Sequence, residues 1–179
     1  GLSVASLLLL YIQNELSFDG MHEKLDRIHR VIVTVNFDGE ERIWANAPNA
    51  VGPTAAENIA GVETATRVFK HNFGDKSFVN TDRKKLVEDQ LYWADSTFFD
   101  VFSITILQGN VDDLLTQPNQ IILSKSTAEK YFDQNDPIGQ ELTIDNKLLM
   151  TVVGVYEDFP ANSTLEANMV GAFHTLGWA

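Results

Sequence analysis

His22 and His29, with Asp26 between them, are the first residues whose types could do chemistry. A histidine pair on a helix can ligate zinc, and a nearby carboxylate can complete the site. Metal-binding pairs on a helix stand at i and i+4. These two stand seven apart, and no third strong ligand is placed to close a site. Solvated or capping histidines are the expectation. Asp112-Asp113 is the most evident carboxylate pair, the residue type for acid–base work. Adjacent residues on a strand or loop point apart, so they are poorly placed to share a proton. His71 and His174 lie in unrelated surroundings. Trp44, Trp93 and Trp178 are scattered and form no evident stacking platform for single strands or sugars. Asn162-Ser163-Thr164 matches a glycosylation acceptor, a cheap match that needs a eukaryotic secretory context.

The remaining signatures are absent. There is no GxxxxGK[ST] or GxGxxG phosphate loop, no GxSxG elbow and no HExxH. The chain has no cysteine, which excludes disulfides, thiol catalysis and cysteine-ligated metal. A formal charge of −12 repels phosphate backbones and argues against nucleic acid as a partner. No catalytic, cofactor-binding or metal-ligating residue is assigned, and no cofactor is expected. By elimination the chain reads as a binding or mechanical domain.

Such a domain depends on what its elements hold up. The stretch Leu91–Gly109 switches period twice. Leu91, Tyr92 and Trp93 end a strand. Asp95 offers a cap to a short helix in which Phe98, Phe99 and Phe102 share a face. Ile104, Ile106 and Leu107 then form a second extended run, closed by Gly109. The phenylalanines must be buried, and removing Phe99 is expected to cost about 3–5 kcal/mol.

The start, Gly1–Ile12, carries no charge and is too short to cross a bilayer, which needs about 20 apolar residues. It reads either as a buried helix start or as the outer end of a transmembrane helix. Met21, Leu25 and Ile28 predict a helix over Ser17–Val31. Val31–Phe37 is a strand, Asp38-Gly39 a tight turn, and Arg42–Ala45 the return. Pro53 opens a helix that Gly61 ends. Thr64–Lys70, Lys76–Asn80 and Lys85–Tyr92 are strand-like. Ile121–Leu123 is a buried strand. Ser126 with Glu129, or Ser124, caps the helix that follows through Phe132. Glu141–Asp145 and Leu148–Tyr156 form a hairpin. Leu165–Ala179 is apolar and has no clear cap. Strands and helices mix without βαβ repeats, which argues α+β with mixed, largely antiparallel sheets and short helices.

Several blocks then carry a family likeness. They are Asn14–Asp19 with His22, Asp26–Ile28 and Arg30-Val31; Tyr92, Ala94-Asp95, Phe98-Phe99, Val101-Phe102, Leu107 and Gly109; Ile122–Ser124, Ala128 and Tyr131-Phe132; Asp136–Gly139; and Val152–Val155, Asp158–Pro160 and Asn162-Ser163. In this order they resemble the MacB-like periplasmic core domain of bacterial ABC transporter permeases. The resemblance implies that residues 1–16 end a first transmembrane helix and that 17–179 lie outside the cytoplasm, at the inner membrane. It implies a porter-like α/β subdomain, about 17–61 with 116–179, and an inserted β-rich subdomain, about 62–115. It further implies a non-catalytic part driven by a cytoplasmic ABC ATPase, a second permease copy, and a periplasmic adaptor or a peptide, lipoprotein or small-molecule substrate. A stand-alone, membrane-anchored binding module is the alternative.

Overall fold

The computed structural model describes residues 2–177. Helix α1, Leu2–Leu16, opens the chain, and none of its residues is buried. Leu7 to Ile12 all stand open to solvent, which counts against the buried-start reading. Among the described residues no helix is long and apolar enough to cross a membrane.

The helix expected over Ser17–Val31 does not form. The segment runs through turns and one 3-10 turn, Leu25–Arg27. Asp19 takes a φ of 58°, and its backbone N–H donates to the Asn162 carbonyl at 2.9 Å. These long-range bonds bend the chain and override the helical spacing of Met21, Leu25 and Ile28. His22 and His29 therefore share no helix face.

Strands β1, Val33–Phe37, and β2, Glu40–Trp44, pair antiparallel as a separate two-stranded sheet. The turn between them has φ of 52° at Asp38 and 86° at Gly39, the left-handed pair that a two-residue hairpin loop requires. Helix α2 spans Val51–Asn58, with Pro53 at its third position and not its first. Any residue's N–H would lack an intrahelical acceptor in that first turn, so proline, which has none, is placed there at no cost.

The rest is one nine-stranded sheet. Strands β3 (Val68–Lys70), β4 (Ser77–Asn80), β5 (Lys85–Glu88) and β6 (Leu91–Ala94) are followed by helix α3 (Phe98–Val101) and β7 (Ile106–Gln108). Then come β8 (Gln120–Ser124), helix α4 (Lys125–Phe132), β9 (Glu141–Ile144), β10 (Leu148–Tyr156) and β11 (Met169–Ala172). The order is β3-β6-β11-β8-β10-β9-β4-β5, with β7 against the far half of β10. Among the described residues only β8–β10 and β6–β11 are parallel pairs.

The expected strand Lys85–Tyr92 is two strands. Glu88 turns inward to Lys130 and Tyr131, while the Gln90 carbonyl accepts from Asn168 at the start of β11. The chain thus leaves the β4 flank and joins the β11 flank within two residues. Those flanks are six places apart, about 29 Å if the sheet were flat. Three residue steps reach at most about 11 Å. The sheet must therefore curl until its flanks meet, and Val79 of one flank shares a buried cluster with Trp93 of the other.

Both faces of the middle strands are covered. On β8, Ile121 and Leu123 face the first cluster and Ile122 the second. Strand β3 begins later than expected because the residues before it are held by side chains. Asp95 accepts from the Arg67 backbone N–H, Nε and Nη2 at 2.7–2.9 Å, and Thr97 donates to the Ala65 carbonyl. Asp95 is thus taken by Arg67 and does not cap α3 by its side chain. At α4 the cap is Ser124, whose side chain accepts from the Thr127 N–H; Ser126 is bound by Asp158 instead.

Of the three phenylalanines, Phe98 is fully buried while Phe99 and Phe102 pack half-buried against the second cluster. The expected cavity cost moves accordingly. Phe98→Ala should lose about 3–5 kcal/mol in chemical denaturation. Phe99→Ala should lose clearly less, and the reverse order would misplace this core.

Candidate functional site

Two hollows of the described surface stand open to solvent. One lies beside Leu107 and Asp133, the other beside Gln90 and Glu166, and neither is an enclosed cavity. Among the described residues no three His, Asp or Glu side chains gather to hold a metal. His29 is exposed, and Asp112 and Asp113 sit on an exposed 3-10 turn where Asp113 accepts from Asn110. Trp44 is exposed on β2, Trp93 is buried, and Trp178 lies outside the described residues.

Convergent polar geometry occurs instead where the chain leaves α1. The Asp19 carboxylate accepts from the Thr164 N–H at 2.7 Å and the Thr164 hydroxyl at 2.6 Å. Ser163 donates to it at 3.4 Å. The Asn162 amide returns two bonds, to the Ser17 carbonyl at 2.9 Å and the Ser17 hydroxyl at 3.0 Å. Backbone geometry makes this possible: Asp tolerates the left-handed φ, which aims its side chain along the turn. Partial burial pushes the Asp19 carboxyl up, but the Thr164 bonds and the nearby His22 outweigh it and hold it below its ordinary value.

A second fastening lies three residues on. His22 is buried, packs with its ring tilted against Phe102 at 5.2 Å between centroids, and accepts the Ser103 N–H on Nδ1 at 3.2 Å. The Glu23 N–H donates to the Ser103 hydroxyl and Lys24 Nζ to the Asp100 carbonyl. The stem below α1 is thus tied at two points, to the loop before β11 and to the end of α3. Both loops border the second core cluster through Phe102 and Leu165. A displacement of the stem must move that cluster or break charge-assisted bonds.

Two outcomes follow. Asp19→Asn keeps the backbone turn but presents an amide to the Thr164 donors, and should cost about 1–3 kcal/mol. A melting curve unchanged from wild type would remove Asp19 from the fastening. Burial holds the His22 imidazole below its ordinary value of about 6.5. The unfolded chain then takes up the proton first as pH falls. Stability from His22 is present above about pH 6.5 and is lost as pH falls through that value toward the lowered folded one. His22→Gln should flatten this part of the pH–stability curve.

A second polar cluster braces the curled sheet. Trp93 Nε1 donates to His71 Nδ1 at 2.9 Å, which leaves the proton on Nε2 facing Asp145 at 3.2 Å. Asp145 also accepts from the Phe78 N–H and from Asn72. Burial pushes the Asp145 carboxyl up, and those donors, Phe78 foremost, hold it low. His71 thus ties Trp93 of one flank to Asp145, which in turn holds Phe78 of the other.

The family model of the MacB-like periplasmic core domain matches residues 1–174. The chain belongs to this family. The blocks that carry the likeness include both halves of the stem fastening, Ser17–Asp19 with His22 and Asn162-Ser163. Among solved structures, a domain ascribed to a permease protein of Porphyromonas gingivalis matches with TM-score 0.66 and 28% identity, over 75% of this chain and 56% of that one. The periplasmic region of MacB from Actinobacillus actinomycetemcomitans gives TM-score 0.58 and 18% identity, over 73% and 57%. The extracellular domain of the noncanonic ABC-type transporter YknZ from Gram-positive bacteria gives 0.53 and 20%, over 69% and 61%. The last two show a shared fold. The aligned part spans 56–61% of the length of these three solved chains. No curated protein matches.

The α+β architecture with short helices and largely antiparallel pairing is that of the MacB-like domains. Sequence reading passed over the fastening itself. In sequence Asp19 belongs only to a block of the family likeness, and Asn162–Thr164 to another block and to a sequon match. The available signal was turn chemistry: Asp19-Gly20 and Pro160 with Asn162 are turn formers that leave side-chain oxygens and amides free to bridge.

Proposed function

We propose that this MacB-like domain is the extracytoplasmic part of an ABC transporter permease, non-catalytic, on the periplasmic side of the bacterial inner membrane. It turns ATP-driven movement of membrane helices into movement outside. The observation that carries the reading is the double fastening of the stem below an apolar, exposed α1. A helix end tied by Asp19 and His22 to a packed core can pull or turn that core. In this reading residues 1–16 belong to a first membrane helix. The family and the transporter domains among its solved relatives add support. The drive comes from a cognate cytoplasmic ATPase, and a second permease copy completes the unit. A periplasmic adaptor, or a peptide, lipoprotein or small-molecule substrate, is engaged outside.

The division into a porter-like unit, about 17–61 with 116–179, and an inserted unit, about 62–115, is part of the same proposal. In the sheet, strands of the inserted segment supply both flanks and the remainder supplies the middle.

The test uses the full-length natural product, fractionated and then exposed to protease from the outer side. An integral protein with several spans, cut within this domain from outside and co-purifying with an ABC ATPase, is the expected result. A soluble or single-span product would overturn it and leave the anchored binding module.

A further inference from the structure

Strand β5 ends the sheet, and among the described residues no other strand pairs with its outer side. Which backbone groups face that side follows from the turn. Thr81 N–H donates to the Lys84 carbonyl, so Thr81–Lys84 is a hydrogen-bonded pair. Pairs alternate along an antiparallel ladder. Leu86 and Glu88 therefore bond to β4, while Lys85 and Val87 turn their N–H and C=O groups to the open edge.

Side chains divide the same way. Leu86 and Glu88 face inward, where Glu88 meets Lys130 and Tyr131 of α4. Lys85 and Val87 face out, beside Phe78, which pairs with Val87, and exposed Asp89 follows directly after the strand. Phe78 is 50% and Val87 47% exposed. Lys85 Nζ lies over the Phe78 ring.

The geometry points to a second copy of this chain as the occupant of the edge, added antiparallel about a two-fold axis through Val87. Val87 then pairs with its own copy, and Lys85 meets the copy's Asp89, twice. The bonded pair on the axis is the one whose free N–H and C=O groups already face outward. Phe78 and Val87 join their copies in one apolar strip across the axis. A short, lysine-bearing edge is the usual defence against such pairing. This edge differs in placing an acid and a base symmetrically about an apolar centre, so that a copy brings opposite charges together and a misaligned one does not. Elsewhere the chain is acidic, and an unrelated acidic strand would meet Asp89 with like charge.

One edge pairing is a small interface. It needs the raised local concentration of two copies anchored in one membrane. In that respect it rests on the permease reading. Span mapping tests that reading and a charge swap tests this pairing, so their failures are distinguishable.

The chain has no cysteine of its own. Val87→Cys in the full-length protein in membranes, with cysteines outside this sequence replaced by serine, is therefore a clean reporter. A hydrogen-bonded pair brings Cα atoms to about 5.5 Å, within disulfide range. Mild oxidation should give a linked dimer at Val87→Cys and none at Thr143→Cys. In the Val87→Cys background, Asp89→Lys should cut the dimer about tenfold. Adding Lys85→Asp should restore it, because the swapped charges again match their copies. A Val87→Cys yield no higher than Thr143→Cys overturns the pairing. So does linkage to a different protein, or loss at Asp89→Lys that the swap does not rescue.

Discussion

Trp93→Ala should be among the most damaging single changes in this domain, at about 3–5 kcal/mol of unfolding free energy. The indole is fully buried in the cluster shared by both flanks of the curled sheet. Its loss opens a cavity and leaves His71 Nδ1 without its donor. The cost should therefore sit at the upper end of that range. Trp93→Phe, which keeps most of the volume, separates the two parts. The ring also explains Gly171 on the neighbouring strand. A Cβ there would meet Trp93 Cε3 at 2.6 Å. Gly171→Ala should destabilise the wild type but cost far less in the Trp93→Ala background, a coupling that a double-mutant cycle reads directly. Additive losses would mean that the two do not touch. A Trp93→Ala loss below about 2 kcal/mol would mean that the flanks do not share one core.

Gly109→Ala should be comparably severe. Gly109 has a φ of 101°, and an added Cβ would stand 2.5 Å from the Val153 carbonyl oxygen. That neighbour is backbone inside β10 and cannot swing aside. Overpacking and the left-handed strain together should cost about 2–5 kcal/mol. The damage should be local first. Strand β7 meets β10 at Gln108–Val155, so the Glu157 amide, which donates to the Thr105 carbonyl beside that pairing, should lose hydrogen-exchange protection before the β8–β10 pair does. Uniform loss across the sheet would contradict this account.

Much of the fold was legible because local rules agreed with the tertiary outcome. The Asp38-Gly39 hairpin, the β8 strand at Ile121–Leu123, the Ser124 cap and the β9–β10 hairpin each rest on residues a few positions apart. The misreadings share one cause. The helix expected over Ser17–Val31, the single strand Lys85–Tyr92 and the Asp95 cap were all undone by partners far away in sequence. Asn162 bends Asp19, Lys130 with Asn168 splits β5 from β6, and Arg67 claims Asp95. No periodicity encodes such bonds. The candidate site was the least legible part, because it uses common turn residues and no reactive side chain.

The central claim is that the stem and the packed body move as one. On the proposed permease reading, with an ATPase and a second copy, the direct test is the distance between a label on α1, at Leu10, and a label on the body, at Thr143, in the full-length assembly with and without nucleotide. The account predicts that this distance stays fixed while the distance between the Thr143 labels of the two copies changes. It also predicts that Asp19→Asn with His22→Gln broadens the Leu10–Thr143 distance. If nucleotide shifts that distance in the wild type while the bodies stay put, the stem slides past the domain and the fastening transmits nothing.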